Sequence, residues 1–141
     1  MSEFDEEAFE KLRLSGRILR ETREEMKTYV HEGMPIIDVC EKAEGLIRKK
    51  GAKPAFPCNV SVNEIAAHYT SPPDDKRTIP ENSVVKVDIG AHVDGYLTDT
   101  AITVCFSSEY RSLVETAECA LKAAVENIQP DLSTSRLGSI I

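Results

Sequence analysis

The chain has 141 residues, 41% hydrophobic, 29% charged and 6% aromatic, and its 24 acids against 17 bases leave a net charge of −7. That length suits one ordinary domain, and the composition supports a core without any low-complexity tract that would argue for disorder. No apolar run approaches the roughly 18 residues a bilayer span needs, the start Met1-Ser2-Glu3-Phe4-Asp5-Glu6-Glu7 is acidic where a signal peptide opens basic, and no Lys/Arg cluster offers a nucleic-acid groove.

Cys40, Cys58, Cys105 and Cys119 contain no CxxC pair, so neither a zinc ribbon nor a thioredoxin-like motif is present, and they read as reduced thiols in a reducing compartment. From Asp5 to His31 the positions Leu12, Leu19, Thr22, Met26 and Val30 recur at helical spacing, with Gly33 as the C-cap and Pro35 beyond it. A second helix is predicted from Asp38 to Lys50, with Arg48, Lys49 and Lys50 suited to its C-terminal dipole and Gly51 ending it. Pro54 to Thr70 favours strands, and Ser71 to Ser83, with Pro72-Pro73-Asp74-Asp75 and Pro80-Glu81-Asn82, reads as a loop.

Val84 to Phe106 is two β-rich runs around Asp94-Gly95, a two-residue hairpin signal. Pairing Val93 with Tyr96 sorts the hairpin into two faces. Val85, Val87, Ile89, Ala91 and Val93 share the core side with Tyr96, Thr98, Thr100, Ile102, Val104 and Phe106. Val84, Lys86, Asp88, Gly90 and His92 share the other with Leu97, Asp99, Ala101, Thr103 and Cys105. A third helix is predicted over Glu109 to Ile128, capped by Ser107 or Ser108, and Ser133-Thr134-Ser135 look like the cap of a fourth over Arg136 to Ile141. A shift of 95 residues places Leu19 on Val114, Met26 on Leu121, Val30 on Val125 and Pro35 on Pro130. This is a helix, proline turn, capped helix repeat, although two amphipathic helices also align by chance.

Asp88 and Asp99 are the residues a structural reading explains least well. In this register they are diagonal neighbours on one sheet face, roughly 7–8 Å apart at the backbone, and two unpaired anions in a half-buried hairpin repel one another and lose hydration. A divalent cation resolves that conflict, and the small neighbours Gly90 and Ala101 leave space for metal and substrate. The plainer alternative is that each aspartate pairs with a Lys or Arg or faces water. His68 reads equally as a structural or a catalytic histidine; His92 reads as a surface residue beside the turn, and His31 as a helix-dipole contact. No GxGxxG, Walker, HExxH or GxSxG motif occurs, and Cys58 with His68 lacks a third group to orient a thiol nucleophile.

Ala55-Phe56-Pro57, Asn63-Glu64-Ile65-Ala66-Ala67-His68-Tyr69-Thr70, Val87-Asp88-Ile89-Gly90-Ala91-His92-Val93-Asp94-Gly95-Tyr96 and Thr98-Asp99-Thr100-Ala101-Ile102-Thr103-Val104 follow in the order seen in methionine aminopeptidases. The Ala-Ala-His-Tyr-Thr-x-Pro form resembles the type II branch, which includes the archaeal enzymes. The resemblance runs from about Ala8 to Ile141. It implies an α+β pita-bread fold in which two related halves cover a dinuclear centre, with residues 1–141 forming one complete half plus the start of the second, whose remainder is absent from this chain. It implies Asp88 as a bidentate ligand to one metal, Asp99 as a bridge between two, His68 as a hydrogen-bond donor at the scissile peptide and Phe56 in the methionine pocket. The implied reaction is hydrolytic removal of N-terminal methionine from nascent polypeptides in the cytoplasm. The cofactors are two divalent ions (Co, Mn, Fe or Zn), and the intact enzyme is expected to be a monomer that can associate with the ribosome.

The family completes its centre with a histidine and two glutamates from the second half, and none can be matched here, since all three histidines precede residue 93. This chain alone is therefore expected to bind metal poorly and to cleave no peptide. Two other readings are a non-catalytic pita-bread protein that binds ribosomes or other proteins, and a proline-specific dipeptidase relative. The paired aspartates with His68 disfavour the first, and the Ala-His-Tyr-Thr context fits the second less well.

Overall fold

The computed structural model describes residues 5–141; residues 1–4, which open the acidic start, lie outside them. Asp5 caps helix α1 (Glu6–Tyr29), its carboxylate accepting from the Ala8 N–H at 2.8 Å and so satisfying one free donor of the first turn. The helix stops before Gly33, because Val30 already turns extended (φ −68°, ψ 129°). Gly33 serves the following turn instead, in the left-handed region at φ +79°, with its N–H donating to the Ile79 carbonyl at 2.8 Å. Helix α2 (Ile36–Lys49) starts two residues ahead of Asp38, because Pro35, with φ preset at −58°, stands at its N-cap without a side-chain bond. The free Ile36 N–H is taken by the Arg77 carbonyl at 3.0 Å, so the α1–α2 turn is stitched to the loop ahead of the hairpin.

The sheet comprises β1 (Lys53–Pro54), β2 (Asn59–Val62), β3 (Val84–Val93) and β4 (Tyr96–Cys105), all antiparallel. β3 is central, with β4 on one edge and β2 then β1 along the other. Of the strand-rich stretch from Pro54 to Thr70 only β2 and the end of β1 are strand, and Asn63 (φ +50°) and His68 (φ +65°) break the extended backbone beyond β2. The hairpin register is the expected one, from Val93 with Tyr96 to Val84 with Cys105. Asp94 (φ +51°) and Gly95 (φ +90°) make its two-residue turn, whose left-handed pair matches the strand twist.

The valine face of β3 is the core side. Val85, Val87, Ile89 and Ala91 are fully buried, and Ile102, Val104 and Phe106 of the second strand and its end pack partly against them. Leu19 and Met26 of α1 and Val39 and Ile47 of α2 complete the interior; each such aliphatic side chain contributes about 1.5–3 kcal/mol on full burial. α1 is also pinned to the hairpin by polar contacts. Ser15 Oγ donates to the Ala91 carbonyl at 3.0 Å and pairs with Thr98 Oγ1 at 2.7 Å, while Arg23 donates to Thr100 Oγ1 at 3.2 Å. α2 meets the start of β2, where Cys40 Sγ donates to the Cys58 carbonyl and Glu44 accepts from the Cys58 N–H. Cys40, Cys58 and Cys119 are free thiols.

Residues Met1–Phe106 and Ser107–Ile141 form two compact units. The second holds α3 (Arg111–Asn127) and α4 (Thr134–Gly138). Neither Ser107 nor Ser108 caps α3: a turn intervenes, and Tyr110 occupies the N-cap with no side-chain bond. Ser133 does cap α4, accepting from the Arg136 N–H at 3.2 Å. The helix pairs repeat in backbone conformation, but three residues further along than the shift of 95. Val30 (φ −68°, ψ 129°) corresponds to Ile128 (φ −67°, ψ 128°), left-handed Gly33 to left-handed Asp131, and extended Pro35 to extended Ser133. The equal turn lengths are what survive, rather than the alignment of the two prolines. Among the described residues no helix is long and apolar enough to cross a membrane.

Thr22 is fully buried on α1, and its hydroxyl has no hydrogen-bond partner. An unsatisfied buried hydroxyl costs about 1–3 kcal/mol, so Thr22→Val, which keeps the branched shape, is expected to raise stability by about 1 kcal/mol, read as a higher urea midpoint at unchanged slope.

Candidate active site

Phe56, Pro57, Asn59, His68, Asp88 and Asp99 line one open cleft of about 430 Å³ on the polar side of the sheet. All four residues singled out in the sequence are therefore brought together, although they come from the β1–β2 connection, the loop after β2 and the two hairpin strands. Asp99 stands opposite Gly90 and Asp88 opposite Ala101, so both carboxylates leave the same face and line one cleft. Among the described residues no Lys or Arg ion pair engages either one; Lys86, the nearest cation in sequence, spends its ammonium on the Asn63 and Ile65 carbonyls at 3.1 and 2.6 Å.

Burial, and then the Asp99 charge, push the Asp88 carboxyl above its ordinary value, while a hydrogen bond from Asn59 and the His68 ring draw it back. The conflict between like charges is thus present and only partly relieved by the protein. The donor set suits a hard divalent cation, because two facing carboxylates with no cationic side chain between them offer hard oxygen ligands and an uncompensated charge. It is a partial set: among the described residues no three His, Cys, Asp or Glu side chains converge on one point that could hold a metal ion.

Gly90 does not open space for metal. The Ala55 N–H donates to the Gly90 carbonyl at 2.9 Å, which lays Phe56 across β3, and a Cβ at Gly90 would run into the Phe56 ring. The glycine makes room for an aromatic wall of the cleft. His68 is exposed and sits at φ +65°, a backbone state costing a residue other than glycine about 1–3 kcal/mol. His92 caps the hairpin turn, its Nδ1 accepting from the Gly95 N–H at 3.2 Å, and His31 is exposed at the surface. Contact with the Cys40 thiol, together with burial, pushes the Cys58 thiol far up, which removes it as a nucleophile.

Asn59 is the site residue that sequence reasoning missed. It faces Asp88 directly across the β2–β3 pairing, and its Oδ1 accepts from Thr70 Oγ1 at 2.7 Å. Only the strand register, which no local motif encodes, would have singled it out.

Residues 10–141 match Metallopeptidase family M24. The chain is 44% identical over 135 residues to a methionine aminopeptidase of Methanocaldococcus jannaschii, covering 96% of this chain and 46% of that protein. It is 41% identical over 136 residues to one of Saccharolobus solfataricus, covering 96% and 45%. In three dimensions it resembles the methionine aminopeptidase of Thermotoga maritima with a TM-score of 0.88 at 26% identity, covering 97% of this chain and 59% of that one. The chain thus spans about half the length of the curated relatives it matches.

The raised Asp88 carboxyl means that the folded state binds this proton more tightly than the unfolded chain. Stability from this group is therefore full below the ordinary Asp range and is lost as pH rises through the raised value. Asp88→Asn is expected to raise the Tm of the metal-free protein at pH 7 and to leave it little changed at pH 3, as measured by calorimetry at the two pH values.

Proposed function

The chain belongs to metallopeptidase family M24 and shares its pita-bread fold, and from that premise we propose that it is the substrate- and metal-facing portion of a methionine aminopeptidase of the archaeal, type II-like form. The observation that carries the reading is the cleft in which Asp88, Asp99, His68 and Phe56 meet. Family membership implies divalent metal ions, and the activity is removal of N-terminal methionine from newly made chains, in the cytoplasm. Identities of 44% and 41% to methionine aminopeptidases favour this over a proline-specific dipeptidase. Two unpaired carboxylates beside a histidine favour it over a binding module.

Asp88 and Asp99, both on the cleft, would hold two divalent ions of Co, Mn, Fe or Zn together with ligands from the rest of the domain. When bound, such ions supply Lewis-acid polarisation of the scissile carbonyl and an activated water. The apolar Phe56 ring, seated over Gly90, forms a wall against which the methionine side chain packs. His68, on the same cleft, donates a ring N–H to the peptide at the oxygen where negative charge develops. Such a donor matters most where it is already in position before charge appears. Residues 1–141 act as the N-terminal part of a single catalytic domain, and the remaining ligands, a histidine and two glutamates by family resemblance, come from the other half of that domain.

Two measurements test this. The purified chain is expected to bind Mn²⁺ weakly, with binding lost in the Asp88→Asn, Asp99→Asn double variant; binding unaffected by that change would overturn the assignment. A chimera in which this chain replaces the matched segment of the Methanocaldococcus jannaschii protein is expected to release methionine from Met-Ala-Ser, and His68→Ala in it to lower kcat by about 10²–10³. The chain alone is expected to release none. An inactive but folded chimera would count against the reading, and release by the isolated chain would refute the need for ligands beyond Asp88 and Asp99.

A further inference from the structure

His68 stands on an exposed stretch of loop in a backbone state that costs a non-glycine residue about 1–3 kcal/mol, so the segments flanking it must be held. On its N-terminal side the Asn63 and Ile65 carbonyls are gathered by Lys86. On its C-terminal side the Tyr69 carbonyl accepts from the Val60 N–H at 2.7 Å and Thr70 is tied to Asn59. The remaining restraint converges on one carboxylate. We infer that Asp75 is the positioning residue for His68, acting through Tyr69; the inference rests on the assignment of His68 to the cleft proposed above.

The Asp75 side chain is 4% exposed and accepts four hydrogen bonds. Oδ2 takes the Tyr69 hydroxyl at 2.6 Å and the Ser71 hydroxyl at 2.8 Å, while Oδ1 takes the Arg77 N–H and Nε–H, each at 3.0 Å. The Arg77 guanidinium lies over the Tyr69 ring, 3.9 Å from its centre, so that ring is gripped by its hydroxyl and by its face. Arg77 is itself fixed, because its carbonyl accepts from the Ile36 N–H at the start of α2. The restraint therefore runs from α2 through Arg77, Asp75 and Tyr69 to the peptide that joins Tyr69 to His68. With both ends of Tyr69 held, ψ of His68 cannot relax without breaking either the Asp75 bond or the Val60 bond. The neighbouring Thr70–Asn59 bond carries the same loop to the amide facing Asp88, so one clamp serves both the donor histidine and the carboxylate pair.

The three histidines of the chain make this testable in the full 141-residue protein without metal. In proton–carbon correlation spectra of the imidazole rings, Asp75→Asn is expected to shift or broaden the His68 resonance and leave those of His31 and His92 in place. Tyr69→Phe, which removes one hydroxyl and keeps the stacked ring, is expected to do the same to a smaller extent, and it decides the matter if Asp75→Asn fails to fold. An unchanged His68 resonance in a folded variant, or equal shifts of all three histidines, would overturn the inference. Adding Mn²⁺ to the wild-type chain separates this result from the site assignment. Selective broadening of His68 supports the cleft as the metal site, while its absence counts against that assignment and leaves the metal-free comparison to decide the role of Asp75.

Discussion

The pairing of β3 with β4 is the constraint from which the rest of the structure follows. Its register is set at one end by a two-residue turn with both residues left-handed, and along its length by the valine face of the central strand. Because side chains alternate at a period of two, a slip of one residue would turn β3 over against β4, carrying Asp88 into the core and away from Asp99 and putting Val85, Val87 and Ile89 into water. Burying charge without a partner costs several kcal/mol, and each lost aliphatic burial adds about 1.5–3 kcal/mol. The same contacts that stabilise the sheet therefore also force two carboxylates together on its other face, where among the described residues no Lys or Arg ion pair offsets them and only Asn59 and His68 relieve Asp88. Stability and chemistry are settled by a single register.

The second strand edge of β3 makes that face into a cleft. β1 and β2 are too short to stand alone, and their role is to lay Phe56 over Gly90 and Asn59 opposite Asp88. A glycine in the middle of a strand normally weakens it; here the missing Cβ is the space the aromatic ring occupies. The loop after β2 then brings His68 to the same cleft under backbone strain, held by Lys86 on one side and by the Asp75 cluster on the other. The polar anchoring lies in the loop and the packing energy in the sheet, so the donor can be placed accurately on a segment with little core of its own.

Much of this was legible in the residues. The amphipathic helices, the hairpin, its turn and its two faces follow from local periodicity and turn chemistry, and both aspartates could be placed on one face by counting from Asp94-Gly95. Family resemblance supplied the expectation that His68 and Phe56 belong with them. Gly33 reads as a helix terminator, but its N–H is taken by Ile79, far along the chain. Ser107 and Ser108 read as caps, but a turn separates them from α3. A shift of 95 matches the apolar positions and the two prolines, whereas the backbone repeats on its turn conformations.

The sequence by itself determined which residues alternate, where the chain turns and which carboxylates share a face, because those properties depend on neighbours within a few positions. Only the tertiary structure decided that Asn59 faces Asp88, that Gly90 is vacant for Phe56 and that Asp75 grips Tyr69. Strand order, the approach of one segment to another and the partners of a buried carboxylate are set by packing between segments remote in sequence. No local pattern encodes which of several chemically equivalent partners will be the one within reach.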